Sequence, residues 1–120
     1  MDIITLTPAD SLWSSAVDFS QNCHWIIREM AARNHTWQTL TVAVQDHQVL
    51  GFSGFTQPTT GGIQRPLSTL FIDEQARGRG VAGKIMSEVR NLAQSRAIQE
   101  VAIPGVVQDI FEKYGFTVVS

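Results

Sequence analysis

The chain has 120 residues, 43% of them apolar and 17% charged, so it can bury one core and is too apolar to be a disordered chain. The formal net charge of −2 excludes broad nucleic-acid binding by bulk electrostatics and confines any basic site to a local patch. The single cysteine, Cys23, excludes an internal disulfide scaffold.

The first residues lack a basic region and a long apolar run, so the expectation is no signal peptide, no membrane segment and a cytoplasmic protein. One domain over residues 1–120 is expected. A short first strand is predicted at 3–6. Thr7-Pro8-Ala9-Asp10 has the form of a helix start, with Thr7 as N-cap and Pro8 at the first helical position, and apolar residues carry that helix to Phe19. A second helix is predicted over about 23–32, burying Ile26, Ile27 and Met30. The β-branched run at 39–44, a QDHQ turn and the segment 49–56 read as an antiparallel hairpin. A polar loop follows at 57–65, then an apolar central strand, PLSTLFI, at 66–72.

Val81, Ile85, Val89 and Leu92 recur at helical spacing, with Lys84, Glu88, Arg90 and Asn91 on the opposite face. A strand at 98–103, a short helix at 106–114 closed by a left-handed Gly115, and a last strand at 116–119 complete the chain. The strand-helix-strand unit between 66 and 103 implies a parallel pair joined by a right-handed crossover. The predicted fold class is therefore α/β, a mixed sheet in three α/β/α layers.

The segment DEQARGRGVAGKIM, residues 73–86, places three glycines and three cations where a strand hands over to a helix. A helix N-terminus offers free N–H groups and partial positive charge, and glycines let a ligand approach the backbone. Arg77, Arg79 and Lys84 add charge, so the turn suits an anion, above all a diphosphate. The alternative is structural: glycines that serve close packing and arginines that face water. No G-x-x-x-x-G-K-[ST] is present. Gly78, Gly80 and Gly83 match G-x-G-x-x-G loosely, but two helices and a hairpin precede the unit and Glu100 falls before most of the next strand, so the dinucleotide context is missing.

LSTLFIDEQARGRGVAGKIM resembles the acetyl-CoA-binding segment of the GCN5-related N-acetyltransferases. That family carries R/Q-x-x-G-x-G/A after its central strand, matched by Arg77 through Ala82, and FEKYGF (111–116) is similar to its late YEKLGF. The resemblance implies an acyl-CoA N-acyltransferase-like fold, short at its C-terminal end. It implies acetyl-CoA as co-substrate, without a metal, and direct attack by an amine in a ternary complex. The backbone of Phe71 and Ile72 would bind the pantetheine arm. The segment Arg79, Gly80, Val81, Ala82, Gly83 and Lys84, with Arg77 and Gly78 before it, would cradle the pyrophosphate.

The family's usual tyrosine acid is replaced by Phe111, with Tyr114 three residues later as the substitute catalytic candidate. Pro104 stands where the family often has asparagine. The sheet is expected to have an open edge, which a homodimer would cover. His24, Glu29 and His35 are expected beside the acceptor pocket, as bases or as structural residues. Cys23 reads as buried and inert. Trp13, Trp25 and Trp37 read as core residues or as lining of an acceptor pocket. The amine acceptor is not specified. A domain that binds acyl-CoA for regulation, with little turnover, is the alternative.

Overall fold

A computed structural model describes residues 1–62 and 64–119. Ile63, within the loop expected at 57–65, and Ser120 lie outside the described residues. The elements follow the predicted order: β1 (Asp2–Leu6), α1 (Trp13–Ser20), α2 (His24–Arg33), β2 (His35–Gln45), β3 (Gln48–Pro58), β4 (Leu70–Ile72), α3 (Val81–Ser95), β5 (Glu100–Ala102), α4 (Gln108–Lys113) and β6 (Thr117–Val119). Strands β1 to β4 form an antiparallel sheet in sequence order, and β5 and β6 form a parallel pair. The expected single sheet is thus two sheets, joined by one parallel bridge between Leu67 and Ala102.

Alternation along the strands divides the core in two. Leu40, Val42, Phe52 and Leu67 face α1 and α2, where they pack with Ala16, Ile26 and Met30. Ala43, Phe55 and Val101 face α3 and α4, against Ile85, Met86, Val89 and Phe111. This is the three-layer arrangement expected. Among the described residues no helix is long and apolar enough to cross a membrane.

The first helix begins at Trp13, five residues later than the Pro8 start its sequence signal predicts. Asp10 turns its carboxylate back onto the Thr7 amide at 2.7 Å and the Thr7 hydroxyl at 3.2 Å, closing a turn before the helix instead of starting it. Strand β2 starts four residues before the predicted run. A register shift between Trp37 and Thr39 breaks the alternation, which hid this part of the strand and puts Trp37 on the same face as Leu40. The QDHQ turn forms with Asp46 and His47 both at positive φ, 52° and 64°, the conformation a two-residue hairpin requires.

Gly115 closes α4 as predicted. It lies at φ 92°, its amide donates to Glu112 O at 3.0 Å, and Phe116 N donates to Phe111 O at 3.1 Å. These two bonds form a Schellman cap.

Thr39 and Ser53 are buried on the α3 side of the sheet, and their hydroxyls have no partner among the described residues. A desolvated hydroxyl without a partner costs roughly 1–3 kcal/mol. Thr39→Val, which keeps the shape and removes the orphan, is expected to raise the unfolding free energy by about 1 kcal/mol in urea denaturation. A loss of stability would show that this hydroxyl is satisfied in solution.

Candidate active site

The site is built where β4 leaves the sheet and α3 begins. Residues 66–73 run antiparallel to β3, with Thr56 N donating to Leu67 O at 3.2 Å at one end and Asp73 N donating to Leu50 O at 2.8 Å at the other. In an antiparallel pair the residues bonded to the partner alternate with residues whose polar groups point away. Leu67, Thr69, Phe71 and Asp73 therefore bond toward β3, and Pro66, Ser68, Leu70 and Ile72 turn toward β5. On that side Ala102 N donates to Pro66 O at 3.1 Å and Ser68 N donates to Ala102 O at 2.9 Å. Beyond Ser68 the ladder ends, and the strands part.

This parity sorts the two residues expected to hold a pantetheine arm. Ile72 has its polar backbone on the open side. Phe71 directs its own toward Phe52 of β3, so the open side is supplied by Leu70 instead. The two-residue period of a strand carries this information, but only the register fixes its phase.

After β4 the chain passes through a 3₁₀ turn at Glu74–Ala76, where the Asp73 carboxylate accepts from Gln75 N at 3.0 Å. Gly78 and Gly80 follow at φ 78° and 73°, and Gly80 precedes the first helical residue of α3. A Cβ built on either glycine meets nothing within 4 Å, so both face open space. Among the described residues, the amides of residues 78–83 have no protein acceptor, and the Lys84 amide donates to Gly80 O at 3.3 Å. The free donors therefore run from Gly78 to Gly83, and Lys84 brings its ammonium alone. Arg79 and Lys84 are exposed and have no carboxylate partner among the described ion pairs.

Arg77 folds back onto the strand it follows. Its Nε donates to Ile72 O at 2.9 Å, and its guanidinium carbon lies 5.9 Å from the centre of the Phe71 ring. The side chain ties the turn to the end of β4 through one charge-assisted bond and one cation–π contact.

Tyr114 lies just past α4, and its hydroxyl donates to Gly83 O at 3.4 Å. A side chain at Gly83 would place its Cβ 3.3 Å from the Tyr114 hydroxyl oxygen, so the glycine leaves room for the tyrosine against the first turn of α3. Phe111 is fully buried, with its ring 5.5 Å from that of Phe116.

The residues expected around the acceptor are separated by their contacts. His35 is buried, with Nε2 2.8 Å from the Gln64 side-chain oxygen and Nδ1 2.7 Å from the Thr56 hydroxyl. An amide oxygen only accepts, so with this assignment Nε2 carries the proton and Nδ1 accepts from Thr56, whose oxygen in turn accepts from Leu67 N at 2.9 Å. The imidazole lone pair is occupied, and His35 serves as a strut rather than a base. Glu29 pairs with Arg33 at 3.2 Å. His24 is exposed at the start of α2, in a shallow pocket with Gln21, Ile27 and Arg28. Cys23 is half-buried, its sulfur 3.4 Å from the hydroxyl of Thr69, the residue just before β4.

A cavity of about 530 Å³ opens between α1, α2 and the ends of β2 and β3, lined by Trp13, Val17, Ile27, Met30 and Trp37 among others. Trp37 is part of its wall as well as of the core, whereas Trp25 packs against the core and is absent from that lining. No group of three or more His, Cys, Asp or Glu among the described residues is arranged to hold a metal ion.

Residues 33–118 match the family described as acetyltransferase (GNAT) domain. None of the curated proteins matches the chain. Among solved structures, Tetrahymena GCN5 is similar over 98% of this chain and 79% of its own, with a TM-score of 0.62 and 21% identity. The aminoglycoside N-acetyltransferase AAC(6')-Iy in complex with CoA is similar over 99% and 89%, at 0.56 and 18%. The ribosomal-protein-alanine N-acetyltransferase of Brucella melitensis biovar Abortus 2308 is similar over 98% and 93%, at 0.52 and 18%. At these identities the structures show a shared fold.

A strand that leaves its neighbour, a row of free amides at the following helix and the family match all agree: this chain belongs to the GNAT acetyltransferase family. It is an acetyl-CoA-dependent N-acetyltransferase domain that transfers acetyl to an amine.

Proposed function

We propose that the amides of Arg79 through Gly83 bind the diphosphate of acetyl-CoA, and that the open side of Leu70 and Ile72 binds the pantetheine arm. The observation that carries this reading is the run of donors from Gly78 to Gly83 without protein acceptors, flanked by Arg79 and Lys84. Two glycines with open space over them fit a ligand that must approach the main chain. The co-substrate supplies a thioester carbonyl and a thiolate leaving group. The protein supplies position and electrostatics: the Leu70 amide and the positive end of α3 favour negative charge beside the gap. Arg77 holds the end of β4 so that these donors keep one geometry.

No side-chain acid is assigned to the departing thiolate. The Tyr114 hydroxyl is directed at a helix carbonyl, and its role is to seat α4 on the first turn of α3. Tyr114→Phe is expected to keep kcat within about threefold, whereas removing a general acid typically costs 10²–10⁴-fold. A drop of that size in a thiol-release assay would restore Tyr114 as the acid.

The acceptor is a primary amine carried on an apolar or aromatic body. The cavity facing α1 and α2 is walled by Trp13, Trp37, Met30, Ile27 and Val17, and among the described residues no carboxylate lines it. A row of aromatic rings connects it to β4: Trp37 to Phe52 at 5.8 Å, Phe52 to Phe19 at 6.0 Å, Phe19 to Phe71 at 5.7 Å. A polycationic aminoglycoside would find no counter-charge there. Release of free thiol from acetyl-CoA, followed across arylalkylamines, polyamines and aminoglycosides, tests both parts. Aromatic monoamines should give the highest kcat/KM. Preference for aminoglycosides would overturn the acceptor assignment, and tight binding with no release for any amine would favour a regulatory acyl-CoA-binding domain.

The edge of β6 has no neighbouring strand among the described residues, which supports a homodimer that covers it.

A further inference from the structure

The opening between β4 and β5 is set by where their ladder stops. Its last bond is Ser68 N to Ala102 O at 2.9 Å. In a parallel ladder the next rung would run from the N–H of residue 104 to Ser68 O, and from Leu70 N–H to the carbonyl of residue 104. Residue 104 is proline and has no N–H. Its φ of −68° is the value the ring imposes, and its carbonyl accepts from Val107 N at 3.1 Å as the chain enters a 3₁₀ turn at Gly105–Val107. Both halves of the rung are blocked by one residue. Ser68 is fully buried, and its carbonyl has no acceptor role among the described hydrogen bonds. The rung that would satisfy it is withheld.

We infer that Pro104 is a positioning residue for acetyl transfer: its missing donor keeps β4 and β5 apart, so that the Leu70 amide stays free for the co-substrate. This rests on the proposed placement of the pantetheine arm, and it assigns to one imino acid the opening that makes that placement possible. A residue with an N–H at this position would extend the ladder by one rung and draw the strands together. The site would then lose a donor to the sheet.

Pro104→Ala in the full chain tests this, with Pro104→Val as a second variant that supplies the same donor on a strand-favouring residue. Without ligand, the new amide at 104 should exchange at least about tenfold more slowly than an unprotected amide. The Kd for acetyl-CoA by calorimetry should weaken by roughly fivefold or more, the loss of about one hydrogen bond. KM for acetyl-CoA should rise and kcat should fall with it, because the Leu70 amide drawn into the sheet is also a donor beside the thioester. Gly105→Ala alters the same turn without adding a donor at 104, and an added Cβ meets nothing within 4 Å, so its affinity should match the wild type. An unprotected amide at 104 in both variants, unchanged affinity despite protection, or an equal loss in Gly105→Ala would each overturn the inference. If the wild-type chain itself fails to bind acetyl-CoA, the functional reading falls, while amide exchange still decides whether Pro104 holds the strands apart.

Discussion

Gly80→Asp is expected to lower kcat/KM for acetyl-CoA by at least about 100-fold, the equivalent of two charge-assisted hydrogen bonds at roughly 1.5 kcal/mol each. Gly80 sits at φ 73°, immediately before α3, with open space where a Cβ would stand. Aspartate tolerates this conformation better than most residues, so the fold survives. Its carboxylate, however, would stand among the donors of residues 78–83 and repel a diphosphate. Gly80→Asn has nearly the same shape without the charge and should lose closer to tenfold, the share due to obstruction and strain. Equal losses for the two variants would mean that shape alone decides, and unchanged kinetics in both would remove the diphosphate from this turn.

Phe111→Ala is expected to destabilise the protein by about 3–5 kcal/mol, the usual cost of deleting a fully buried aromatic ring. The ring lies at the centre of the α3 and α4 side of the core, against Phe116 and beneath the Schellman turn that ends α4. For a domain of this size the melting temperature should fall by roughly 15 °C or more. The same position is where relatives by resemblance carry an acid, so Phe111→Tyr is the informative companion. A hydroxyl added to a closed aromatic cluster should cost roughly 1–3 kcal/mol and leave kcat unchanged. A stable Phe111→Tyr with raised kcat would show that this position reaches the thioester.

Order and type of elements were legible because most segments carry one clear periodicity. The helix from Val81 and the glycine stop at Gly115 are local patterns with local causes, and both stand where the sequence places them. The signal at Thr7 to Asp10 misled because the same residue types make an Asp-closed turn and a helix cap, and only the direction of the Asp10 side chain separates them. The anion turn was legible as composition. Its free amides were not, because they depend on which carbonyls the folded chain leaves nearby.

Three features of the site lay outside the reach of spacing rules. The phase of β4, which turns Leu70 rather than Phe71 to the open side, is fixed by pairing with β3. The occupied lone pair of His35 depends on Gln64 and Thr56, twenty-nine and twenty-one residues away in sequence. Pro104 was visible as a departure from a family pattern, yet its meaning required knowing that Ala102 is the last rung of a parallel ladder. A proline two residues beyond a strand that follows a crossover is the sequence signal that could have pointed to it.

A crystal structure of the chain with coenzyme A measures the central claim most directly. The diphosphate oxygens should lie about 2.7–3.2 Å from main-chain nitrogens between Arg79 and Gly83, with the pantetheine arm beside Leu70 and Ile72. A ligand bound elsewhere, or those nitrogens bonded to protein carbonyls in the complex, would contradict it.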